Sequence, residues 1–192
     1  MHPDDLIYPA IYYRGEGFFL EKTEARASSF FGGPDGSEVY GVEHGPRRLH
    51  HIATIHGDCF DPLRHVIGGG ELRLLYGMCF SGCELKYRVG AVKTEILEMS
   101  PTLSNPDWPY FDFPTYLPYF LLRLRERIEC SLEEFSELSC QPTIEAEEGE
   151  AIVIVPPSGA YGISLWGPSG GAQIVFRCDL ERRIIRATNQ CG

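Results

Sequence analysis

Strand-like patterning dominates both ends of the chain. Ala10-Ile11-Tyr12-Tyr13 and Gly17-Phe18-Phe19-Leu20 are short runs of aromatic and branched residues. Leu49, His51, Ala53 and Ile55 fall on one face under period-2 alternation. Glu71 to Met78 reads as a largely buried strand, and Glu84 to Val89 alternates charged with apolar as a half-exposed one does. Four more runs follow late in the chain: Ala151 to Val155, Tyr161 to Trp166, Ala172 to Arg177 and Arg183 to Arg186. Turn formers divide them, as in Pro156-Pro157-Ser158-Gly159 and Gly167-Pro168-Ser169-Gly170-Gly171.

The middle of the chain reads differently. Tyr119 to Ile128 is long and lacks turn formers after Pro118, which suits a helix that begins beside a proline. Ser131 followed by Glu134 has the spacing of a capping box and predicts a second helix, Leu132 to about Leu138, stopped before Pro142. Two helices in the region 116–140, between two sets of strands, predict an α+β fold with mainly antiparallel sheets. No repeat of fixed period interrupts the pattern, so residues 1–192 are expected to form a single domain.

No apolar run approaches the ~20 residues of a bilayer span, so no membrane partner is expected. Met1-His2-Pro3-Asp4-Asp5 carries acids where a secretory signal carries positive charge. The seven cysteines are odd in number and irregular in spacing, unlike a secreted disulfide framework. On a strand, Cys79 and Cys83 would sit about 13 Å apart, beyond the ~7 Å that a disulfide allows between Cα atoms. These features predict a cytoplasmic protein with free, mostly buried thiols.

Three landmarks occur in order. Ser29-Phe30-Phe31-Gly32-Gly33-Pro34 comes first, and Leu49 to Ile55 then leads to Gly70-Glu71-Leu72-Arg73-Leu74-Leu75-Tyr76-Gly77. Leu165-Trp166-Gly167-Pro168-Ser169-Gly170-Gly171-Ala172-Gln173-Ile174-Val175-Phe176 follows late, with Asp179-Leu180 beyond. Over residues 29–180 this order resembles the YwqG-like bacterial proteins of unknown function. Thr54 stands where that family tends to have glutamine, and Pro168-Ser169 replaces the acid of its late hairpin. The resemblance implies an α+β fold with antiparallel sheets and no particular reaction. Such proteins occur near bacterial toxin genes, which implies an antitoxin or immunity role.

Candidate chemistry is sparse. His50, His51, His56, Cys59 and His65 lie close in sequence, but strand geometry turns His50 and His51 to opposite faces and sets His50 and His56 about 20 Å apart. Zinc needs its ligands within about 2.3 Å of one point. A loop site of His56, Asp58, Cys59 and His65 is the one remaining metal arrangement, and no metal or cofactor is expected. Cys79-Phe80-Ser81-Gly82-Cys83 matches neither a protease signature nor a C-x-x-C redox motif. Gly68-Gly69-Gly70 and the 167–171 turn lack the Lys-Ser/Thr ending of a phosphate loop, and Ser169 sits on no strand-to-helix elbow.

Charge distribution is the more informative feature. The chain carries a net −10, and Ile128 to Phe176 holds no lysine or arginine but eight glutamates: Glu129, Glu133, Glu134, Glu137, Glu145, Glu147, Glu148 and Glu150. Such a block repels polyanions, which excludes nucleic acid as a partner, and raises the local concentration of a basic one. A block of this kind can also serve solubility alone. Asn105 to Tyr116 adds five aromatics, Trp108 and Tyr110 among them, in a segment whose prolines forbid regular structure. Those aromatics can anchor a partner or form a lid over the core edge. The expected function is therefore not enzymatic. It is a protein-binding module, most concretely an antitoxin or immunity protein that occludes a basic bacterial toxin with the glutamate block. A small-molecule or peptide binder, and a hydrolase with an unrecognised site, are the alternatives.

Overall fold

The computed structural model describes residues 6–34, 36, 38–41, 49–65, 70–78, 82–100, 114–138, 144–165 and 172–191. Among these residues twelve strands join in one mixed sheet. In chain order they are β1 (Ala10–Tyr13), β2 (Glu16–Thr23), β3 (Ser29–Phe31), β4 (Glu38–Gly41), β5 (His50–His56) and β6 (Glu71–Tyr76). They continue with β7 (Glu84–Val89), β8 (Lys93–Ser100), β9 (Phe120–Glu129), β10 (Glu150–Val155), β11 (Ala172–Asp179) and β12 (Ile184–Cys191). Among the described residues the one α-helix is α1 (Leu132–Ser136), with short 3-10 helices at Asp61–His65 and Gly159–Tyr161.

The α+β expectation with two helices is thus corrected to a mostly β fold. Tyr119 to Ile128 was expected to be helical, and it is the ten-residue strand β9 instead. Its leucines, arginines and glutamates favour helices intrinsically, but propensity yields to pattern when both faces are in use. Leu122 and Leu124 face the inner core, Ile128 packs in the outer cluster beyond the irregularity at Phe19/Leu20, and Arg123, Arg125, Arg127 and Glu129 stay exposed. A helix would scatter those positions around its circumference. As a strand, β9 pairs antiparallel with β2 and β3, and its arginines reach across to β2, Arg123 to Glu21 and Arg127 to Glu16. The second helix forms as the capping box predicts. Ser131 Oγ accepts from the Glu134 N–H, and the Glu134 carboxylate accepts from the Ser131 N–H at 2.7 Å. Tyr161 to Trp166 is not a strand over its described part. The chain makes a 3-10 turn capped by Ser158 and leaves it at Gly162, whose φ is 76°.

The strands run in the order β4-β8-β7-β12-β11-β10-β1-β2-β9-β3-β5-β6. Among the described pairings only β4–β8 is parallel. Bulges at Phe19/Leu20, His51/Ala53 and Lys86/Tyr87 bend the sheet. It curls until β6 comes against β7 and β12. No backbone ladder joins β6 to β7; side chains do so instead. The Tyr87 hydroxyl accepts from the Leu75 N–H at 2.8 Å and donates to the Arg73 carbonyl at 3.0 Å. The Tyr76 hydroxyl accepts from the Cys83 N–H at 2.8 Å and donates to Asn189 Oδ1 at 3.0 Å.

Curling gives the sheet an inside and an outside. The inner face packs Ile11, Phe18, Phe31, Leu74, Tyr87 and Phe176, among others, into the main core. On the outside, Ala10, Phe19, Ile152, Ile154 and Val175 are covered by Phe135 and Leu138 of the α1 region and by Ile144. That double cover explains why all six residues of β10 are buried. Between β1 and β2, Arg14 and Gly15 both take positive φ, 50° and 84°, and join the Tyr13–Glu16 pair as a two-residue hairpin does.

Tyr161 stacks on Phe31 with centroids 4.5 Å apart, and its hydroxyl is buried without a hydrogen-bond partner among the described residues. Burial, and then the nearby Tyr8, hold its ionisation far above the usual phenol range. Removing only that oxygen keeps the stack and abolishes an unpaired polar group, so Tyr161→Phe is expected to raise stability by about 1 kcal/mol. Urea unfolding at fixed pH checks this; a loss of stability would mean the oxygen has a partner.

Candidate partner-binding site

The glutamate block lies on the outer side of the sheet. Glu129 ends β9, Glu133 and Glu134 occupy the first turn of α1, and Glu137 is its C-cap. Glu145, Glu147 and Glu148 precede β10, and Glu150 begins it. Ile144 and Ala146 pack in the same apolar cluster as Leu132, Phe135 and Leu138, which brings the 144–148 segment to the helix.

The eight carboxylates do not play one role. Glu150 is buried and fully engaged. It accepts from Arg177 Nε at 3.0 Å, from Arg186 Nη1 at 3.0 Å and from the Glu147 N–H at 3.1 Å. Glu147 adds longer contacts to both arginines, each at 3.5 Å. Glu134 closes the capping box, whose hydrogen bonds from the Ser131 backbone and hydroxyl hold its carboxyl below the usual range. Among the described residues no cation pairs with Glu129, Glu133, Glu137, Glu145 or Glu148, and all five are exposed. Sequence reasoning counted all eight as partner-binding and missed the two arginines that neutralise the end of the block. The signal was present in the basic C-terminal stretch, but not its register.

Elsewhere carboxylates are mostly matched. Glu16 and Asp61 meet Arg127, Glu21 meets Arg123, Glu38 meets Lys93, Glu71 meets Arg73, Glu95 meets Arg88, and Glu98 meets Lys86. The five free carboxylates are therefore a local excess. One of them, Glu137, works against the helix it caps. Glu137 places negative charge at the C-terminal end of α1, where no basic residue offsets it, and Glu133 and Glu137 form a like-charge i,i+4 pair.

Beside α1 the surface is concave. A groove of about 440 Å³ is lined by Ile128, Glu129, Cys130, Glu134, Phe135, Glu137 and Leu138. Its floor is apolar and its rim carboxylate. Burial, and then Glu134, push the Cys130 thiol up, so it is a poor nucleophile.

The remaining candidates resolve into structural roles. His50 Nε2 meets the Pro114 carbonyl at 2.9 Å, and His51 meets the Gly32 carbonyl and Thr54 Oγ1, each at 2.8 Å. Both rings are buried, because the bulge at His51/Ala53 breaks the alternation expected of β5. Gly32 is required there: with φ 62°, an added Cβ would stand 2.1 Å from the Pro118 carbonyl oxygen. In the proposed loop site, Asp58 accepts from the Ser28 N–H at 2.9 Å and from Ser29 Oγ at 2.8 Å. Burial drives the Cys59 thiol up to about 11. No group of three or more potential metal ligands gathers among the described residues. Cys59, Cys130 and Cys178 are free thiols. Cys79, Trp108, Tyr110, Ser169 and the turns at 68–69 and 167–171 lie outside the described residues. No helix among the described residues is long and apolar enough to cross a membrane. Comparison with family models, curated proteins and solved structures finds no match to this chain.

Proposed function

We propose that this chain is a protein-binding module that holds a basic protein partner against the acidic surface built by the end of β9, α1 and the segment before β10. In its most specific form it is an antitoxin or immunity-type protein of the bacterial cytoplasm that occludes a basic toxin, and the YwqG-like resemblance belongs to the same proposal. The observation that carries the reading is the set of five exposed carboxylates without a cation among the described residues, one of them, Glu137, at the C-terminal end of α1 where it costs helix stability. A surface kept only for solubility has no reason to load the C-cap of a five-residue helix. Free thiols at Cys59, Cys130 and Cys178 support a reducing compartment.

The test reverses charge without touching the fold. Glu134 is excluded, because its carboxylate holds the cap. With the partner captured from a lysate of the source organism and identified by mass spectrometry, the variant carrying Glu133→Lys, Glu137→Lys and Glu148→Lys is expected to associate at least tenfold more slowly at low salt. The difference should shrink as the Debye length falls from ~30 Å at 0.01 M to ~8 Å at 0.15 M. Equal association rates for a folded variant would reduce the block to a solubility feature.

A further inference from the structure

We infer that the groove beside α1 is the anchor point of this surface, and that it takes a lysine- or arginine-bearing segment of the partner, the alkyl stem on the apolar floor and the charged head at the rim. This rests on the partner-binding reading above and narrows it to one place and one chemistry. Three features converge. The apolar surface open in it comes from the half-buried Ile128 and Cys130 and the edge of Leu138, over the buried Phe135, so it rewards aliphatic contact. The rim carries Glu129 and Glu137, which have no cation of their own among the described residues, while Glu134 is committed to the cap. The volume, about 440 Å³, lies within the ~300–1,000 Å³ of ligand-holding clefts and exceeds the needs of a bare ion.

That combination selects among cations. A small inorganic cation would leave the floor uncovered, and an apolar peptide would leave two carboxylates against low-dielectric surface without a partner. Lysine and arginine match both parts, because their stems lie along apolar surface while their heads remain in contact with water and counter-charge. An interface anchored this way places its apolar contact at the centre and its charge at the edge, as binding hot spots do.

The experiment uses the full chain and hexalysine as probe, at pH 6, read by calorimetry and by 15N amide shifts. Wild type is expected to bind hexalysine with shift changes concentrated on residues 128–138. The double variant Glu129→Gln, Glu137→Gln should weaken binding at least fivefold more than the charge-matched Glu145→Gln, Glu148→Gln. The hexamer of 2,4-diaminobutyrate has the same charge on shorter stems and should bind at least threefold more weakly than hexalysine. Equal losses in the two double variants, or equal affinity for the two hexamers, would overturn the groove while leaving the acidic surface as a field-driven binder. Magnesium or spermine matching hexalysine at equal ionic strength would also overturn it, marking a generic cation surface. No detectable salt-dependent binding of hexalysine to wild type would bring down the groove and the partner-binding reading together.

Discussion

Glu150→Ala is expected to cost roughly 2–3 kcal/mol of stability, far more than any other single change in the glutamate block. Glu150 is 7% exposed and accepts hydrogen bonds from two arginines and one backbone amide. Bonds to charged groups are worth about 1.5–3 kcal/mol each when removed singly, and breaking a fully buried pair costs about 3–5 kcal/mol. The lower end applies here. Arg177 and Arg186 keep side-chain exposures of 29% and 42%, so water can take up their freed donors. The loss should appear as a lower urea midpoint with an unchanged slope. It should also free the segment before β10, because Glu150 is what the Glu147 amide is tied to. A change below about 0.5 kcal/mol would place this group with ordinary exposed ion pairs, whose net worth is small. The contrast with the lysine reversals at Glu133, Glu137 and Glu148 is diagnostic. Those should slow association and leave folding intact, whereas Glu150→Ala should weaken folding first.

That division inside one run of acids shows where sequence reading reaches its limit. The excess of glutamates over residues 129–150 is visible without coordinates, and so is the capping box of Ser131 and Glu134. Which glutamates are free is not visible, because Glu150 lies 27 residues from Arg177 and 36 from Arg186, and only the β10–β11–β12 pairing brings them together. The groove was equally hidden. It needs the end of β9 and the face of α1 on one side of a sheet, and β9 itself was read as a helix. Local signals did better at Glu84 to Val89, where charged and apolar positions alternate, and at Ala10 to Tyr13, a run of apolar residues buried on both faces; both form strands over the residues their pattern marks. They failed where neighbours overrode them. In β5 the period-2 pattern is broken by the irregularity at His51/Ala53, and residues on both faces, His50 and His51 included, are buried. In β9, strong helix formers are overridden by antiparallel pairing with β2 and β3 on its two edges.

The seam between β6 and β7 was also invisible in the sequence, and it sets up the second large effect. Tyr87→Phe is expected to cost about 2 kcal/mol, although it removes one oxygen atom. The hydroxyl is the acceptor for the buried Leu75 N–H and the donor to the Arg73 carbonyl, so its loss strands two backbone groups at once. A buried polar group left without its partner costs about 1–3 kcal/mol. The carbonyl of Arg73 is only partly buried and adds little. The same chemical change at Tyr161 removes an oxygen with no partner among the described residues, and there the expected sign is opposite. The two substitutions are therefore each other's control: both rings are buried and each loses one oxygen, but the partners of that oxygen differ. Urea unfolding of both variants should separate them by about 3 kcal/mol. Amide exchange gives a second, local readout. No backbone ladder crosses from β6 to β7, so losing Tyr87's hydroxyl should speed exchange at Leu75 and its neighbours in β6 more than at β10, which is laddered on both sides. Equal stability of the Tyr87 and Tyr161 variants would mean that the seam is held by apolar packing of the inner core, with the tyrosine bridges adding nothing.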